Sequence, residues 1–163
     1  MIMSTYKYKF LLPLCIISHF CFCQKSNAGY IKYESECYGS ELDGSETIKS
    51  WGSGKNRKDA VEQAKKNGVR DILFKGIFRG TGECSKDPLI SESAIRINNE
   101  DYFNAFFKDD GEYLKYVSMK DESLNPKIFK DKKKAGTEIT EGVIIRVLRS
   151  DLKKKLKSDG ILK

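Results

Sequence analysis

Apolar and polar positions change their period several times along this chain, and each change predicts an element. Between Tyr30 and Tyr38, Ile31, Tyr33 and Cys37 stand against Lys32, Glu34 and Glu36, an alternation that predicts a strand. Asp43-Gly44 then gives a turn signal, and residues 47–54, TIKSWGSG, can return beside the first strand as a hairpin. The period lengthens after Gly54. Val61, Ala64, Gly68 and Ile72, with Ala60, Val69 and Leu73 beside them, recur every three or four positions and draw one stripe along a helix over residues 56–75. Asn56 stands where a cap is needed, and Asp59 falls in the first turn, where a carboxylate meets the positive helix end. The small residues in the first half of the stripe predict close approach to a sheet, with Lys65, Lys66 and Arg70 on the water side.

Gly76, Gly80 and Gly82 end this helix and open a loop carrying Cys84 and Pro88. Residues 88–97, PLISESAIRI, read as extended. Asn98 or Asn99 then caps a short helix near 99–108, in which Phe103, Phe106 and Phe107 share one face. Asp109-Asp110-Gly111 breaks it, residues 112–119 read as a further strand, and the polar stretch from Lys120 to Gly136 reads as a surface loop. Gly142–Ser150 predicts a strand, and Ser150 is the expected cap of a helix over 150–158, with Leu152 and Leu156 inward and Gly160 ending it. The expected fold class is α+β: an antiparallel sheet packed against one long helix (56–75), with shorter helices near 99–108 and 150–158.

The N-terminal stretch has a different character. Lys7 and Lys9 precede an apolar run from Phe10 to Cys23, which is too short to span a bilayer but long enough for the core of a secretory signal. Cys21 and Cys23 suit a cut before Gln24, so residues 1–23 are expected to be a signal peptide and residues 24–163 a single secreted α+β domain, periplasmic or extracellular. The alternative makes Cys23 a lipid-bearing residue, although Phe22 stands where such signals place a small side chain.

Cleavage there would change the chemical inventory. His19, the only histidine, leaves, and so do Cys15, Cys21 and Cys23. Histidine is the commonest general base near neutral pH, so triads and dyads that use it are excluded, as are the usual zinc sites. Cys37 and Cys84 remain, an even count that predicts a disulfide in an oxidising compartment. We therefore expect no catalytic residue, no metal and no cofactor.

Charge is unevenly spread. Residues 24–163 hold 28 basic and 23 acidic residues, net +5, whereas residues 127–163 alone carry 12 against 5, net +7. The runs Lys132–Lys134 and Lys153–Lys157 read as solvated faces; the functional alternative is weak contact of this basic region, above all Lys153, Lys154 and Lys155, with anionic lipid or an envelope polymer. Export argues against nucleic acid. Oligomeric state is not legible.

The most motif-like stretch is Gly52-Ser53-Gly54-Lys55. A phosphate loop needs two glycines five apart and a hydroxyl after the lysine; here the spacing differs and Asn56 follows, so a turn is the better reading. Trp51, beside two glycines, is either a plug at the core edge or an anchor for a partner, the plug being favoured. Tyr102, Phe103, Phe106, Phe107, Tyr113 and Tyr116 read as core. The alternative makes region 102–116 the groove of a secreted ligand-binding protein or of a carboxylate-based hydrolase.

Strand, Trp51-Gly52-Ser53-Gly54, then Asn56-Arg57 and a helix bearing Ala60, Ala64 and Asn67 resembles the exported envelope proteins of Gram-negative bacteria in the small-lipoprotein and flagellar-assembly T N-terminal group, over residues 45–77. The resemblance implies a small α+β module that works through protein contacts in the envelope, in assembly or scaffolding, with an envelope protein as partner and no catalytic residues.

Overall fold

The computed structural model describes residues 34–119, 131–135 and 138–163. The expected signal peptide, the start of the first predicted strand and residues 120–130 and 136 of the predicted surface loop lie outside the described residues. The fold is α+β: among the described residues, a mostly antiparallel, six-stranded sheet carries one long helix and the shorter helices against one face.

Strands β1 (Glu36–Ser40) and β2 (Glu46–Gly54) form the expected hairpin. Its turn is built by Asp43, whose Oδ1 accepts from the Ser45 amide and hydroxyl at 2.9 and 2.7 Å, and by Gly44 at φ +76. Helix α1 (Arg57–Phe74) follows, with the Asn56 side chain accepting from the Asp59 amide as anticipated. β2 pairs along its whole length with β6 (Glu138–Val147). The far edge of β6 is shared by β4 (Val117–Met119) and β5 (Asp131–Ala135). β3 (Arg79–Gly80) pairs in parallel with β1.

Side chains alternate between the two faces of β2. Ile48, Ser50 and Gly52 face α1: a Cβ on Gly68 would meet the first two, and a Cβ on Gly52 would meet Ala60 and Ala64. Trp51 lies on the opposite face. The core joins this helix side of the sheet (Ile48, Val143, Ile145, Val147) to Val69, Ile72 and Leu73 of α1, Phe103, Phe106 and Phe107 of α3 (Glu100–Phe106) and its end, and Leu152 and Leu156 of α4 (Arg149–Ser158).

Several boundaries differ from expectation, each for a local reason. Of residues 88–97 only the start is extended: the amides of Leu89 and Ile90 donate to Ile72 and Leu73 O, closing the C-terminal carbonyls of α1. The rest is helix α2 (Ser93–Asn98), with Ile95 turned inward and Ile97 exposed. Asn99 holds the cap position of α3, yet its side chain donates backward to Ile95 O instead of capping forward. The predicted strand 112–119 is mostly a 3-10 turn (Glu112–Tyr116), and only Val117–Met119 reaches the ladder. Asp131–Ala135, read as loop, pairs as an edge strand, where polar sequence is tolerated. Ser150 does not cap α4: Leu148 takes that place, its amide donating to Tyr116 O, and the Ser150 hydroxyl donates to Gly44 O.

Candidate functional site

A cleft of about 710 Å³ opens between the start of β1, β2 and α1 on one side and α2–α3 on the other. Its floor is polar. The Ser35 hydroxyl donates to Asp71 Oδ2 at 2.6 Å, and the Ser50 hydroxyl lies 3.4 Å from that of Ser35. Burial pushes the Asp71 carboxyl above its ordinary range, against the bond from Ser35 and the charge of Lys75. This trio ties β1 to α1.

The walls are aromatic with cations over them. Arg70 sits 4.9 Å over the Phe107 ring and Arg96 5.4 Å over the Phe74 ring. Arg70 and Phe74 are four residues apart on α1, and Phe103 and Phe107 repeat that spacing on the facing segment; Phe74 and Phe103 meet edge to face at 5.0 Å. Glu34, at the rim, is taken by Arg79 at 2.7 Å.

A second, smaller recess lies by the 83–89 loop. Glu46 is 3 % exposed; its Oε1 accepts from the Ser85 amide at 2.8 Å and faces Arg149 Nε at 3.4 Å, whereas Oε2 has no hydrogen-bond partner. Burial raises the Glu46 carboxyl, with Ser85 and Arg149 opposing the shift. Arg149 also donates to Ser85 Oγ and Asp87 O, so the cluster clamps loop, sheet and helix.

The residues singled out in the sequence fall in separate places. Cys37 and Cys84 form the expected disulfide, Cα atoms 5.7 Å apart. Trp51 is buried, 8 % exposed, on the face of β2 opposite α1, its ring over Gly142 and Lys49 Nζ 4.6 Å from the ring centroid. The three lysines are not one basic face: Lys154 pairs with Asp151 at 3.0 Å and Lys155 with Asp159 and Glu112 at 3.1 and 3.4 Å, while Lys153 is exposed. Lys66, expected in water, lies 2.6 Å from Asp109 and over the Tyr113 ring. The Gly52–Lys55 stretch brackets no phosphate cradle. A Cβ at Gly52 or Gly54 would strike the backbone of α1 at 2.2 and 2.7 Å, so these glycines serve close packing.

The aromatic residues 102–116 are mainly core, with Tyr102 and Tyr113 donating to Asp159 and Glu62. Only Phe103 and Phe107 reach the cleft. Arg70, Asp71 and Arg96 were not singled out from the sequence; the Arg70-Phe74 spacing of four was the available signal, and nothing local announced that Arg96 would join it. No family model, curated protein or solved structure matches this chain.

Proposed function

We propose that the chain is an exported, non-enzymatic protein of the cell envelope that works in assembly or scaffolding by holding a protein partner. The observation that carries this reading is the cleft between α1 and α2–α3. It offers two guanidiniums over phenyl rings, above a polar floor in which Ser35 is bonded to Asp71 of α1. The leader-like N-terminus and the Cys37–Cys84 bridge support export to an oxidising compartment. The likeness of residues 45–77 to envelope modules points the same way.

The test is cross-linking in intact envelopes followed by reconstitution with the purified partner. A stoichiometric complex of the processed chain with one envelope protein is expected. Failure to form any such complex, together with turnover of a glycan or peptide, would replace this reading with the hydrolase.

A further inference from the structure

Two arginines face one cleft with their N–H groups unspent. Arg70 and Arg96 are both exposed, each lies over a phenyl ring, and neither forms a hydrogen bond or ion pair among the described residues. A guanidinium over an aromatic face keeps a planar fork of donors at its edge and has already lost part of its rotamer freedom, so it is poised for a carboxylate. The cleft's own carboxylates leave it that role. Glu34 is engaged by Arg79, Asp71 accepts from Ser35, and Glu100, one turn beyond Arg96, makes no ion pair with it. Ile97, 69 % exposed, and half-buried Phe74 also line the cleft.

We propose that this cleft docks an acidic segment of a partner protein: a short stretch in which carboxylates flank a bulky apolar side chain. The carboxylates pair with Arg70 and Arg96, and the apolar side chain lies on Phe74 and Ile97. Charge complementarity selects the occupant, since a basic segment would bring like charge onto both guanidiniums and a purely apolar one would leave them desolvated and unpaired. The inference rests on the reading of the chain as a contact protein and names the chemistry of its partner.

The experiment titrates the processed chain, disulfide intact, with three labelled peptides: acetyl-Glu-Phe-Glu-Leu-Asp-amide, its Gln/Asn counterpart and its Lys counterpart. Saturable binding of the acidic peptide alone is expected, with amide shifts confined to residues 67–75 and 93–107. Arg70→Gln and Arg96→Gln should each weaken it about tenfold, the value of one charge-assisted bond. Lys58→Gln, an exposed change in the first turn of α1, should leave it unaltered. Equal binding of the neutral peptide, undiminished binding by both arginine variants, shifts centred on α4, or no saturation by roughly 1 mM would each overturn the proposal. A partner complex that survives the double variant at full yield removes this docking site and leaves the contact reading standing; turnover without a complex removes that reading itself.

Discussion

The six-membered ring of Trp51 stands over Gly142, its cross-strand partner: a Cβ built on that glycine would meet Cζ3, Cε3 and Cη2 at 2.9, 3.0 and 3.0 Å. The ring covers backbone that the glycine leaves bare, so each residue explains the other on the sheet face opposite α1. Gly142→Ala puts a methyl group where the ring rests and must lift it. The expected cost is about 1–3 kcal/mol, as for other overpacked sites, with a red shift in emission from the chain's single tryptophan. An unchanged emission maximum and unfolding midpoint would refute this placement.

Two glycines at the helix–sheet contact should respond differently. A Cβ on Gly52 would meet Ala64 N at 2.2 Å and Ala60 O at 2.3 Å, helix backbone that moves only if α1 moves. A Cβ on Gly68 would meet the Cδ1 tips of Ile145 and Ile48 at 2.4 and 3.2 Å, which can rotate, and alanine regains about 1 kcal/mol of helix propensity there. Gly52→Ala is therefore expected to lose about 3 kcal/mol or more, and Gly68→Ala no more than about 1–2 kcal/mol. Urea midpoints compare them, and equal losses would contradict the argument.

What was legible followed from local rules. The Asp43-Gly44 turn and returning strand, the Asn56 cap, the Ala60-Ala64-Gly68 stripe and the Phe103-Phe106-Phe107 face are set by turn chemistry and period and fall where the pattern places them, whereas the first strand, expected over 30–38, runs Glu36–Ser40. Misread elements depend on distant partners. Residues 88–97 read as extended, but their first amides are drawn to Ile72 and Leu73 O and Ser93–Asn98 closes into a helix. Asp131–Ala135 is a strand because β6 offers it an edge, not because of its lysines. The cleft was illegible for the same reason: Arg70 and Arg96 are 26 positions apart, and only the packing of α2–α3 against α1 brings both to it.

The bridge between Cys37 and Cys84 spans a sequence separation of 47. Closing a loop of that length removes unfolded-state entropy worth about 4 kcal/mol by the chain-entropy model. A double serine variant, Cys37→Ser with Cys84→Ser, should therefore unfold at clearly lower urea. It should keep the native fold, because the loop is also held by the Glu46–Ser85 and Arg149–Asp87 bonds. Thiol alkylation of the unreduced protein should label neither sulfur. Two reactive thiols would contradict the bridge.

Glu46 gives stability a pH dependence of unusual sign. Burial raises its folded-state pKa above the ordinary 4.5, so the folded chain holds a proton that the unfolded chain has already released. Its contribution is complete below the unfolded value and is lost as pH rises through the folded one. Asp43, Asp109 and Asp159 run the other way: bonds from Ser45, Lys66 and Tyr102 respectively are the main causes lowering their carboxyls, so their contributions are lost on acidification. Glu46→Gln isolates the first effect. The amide keeps an acceptor for the Ser85 N–H but cannot ionise, so the variant should lose less stability than the parent as pH rises above the ordinary 4.5. Parallel pH profiles of the two urea midpoints would show that Glu46 ionises as freely in the folded chain as in the unfolded one.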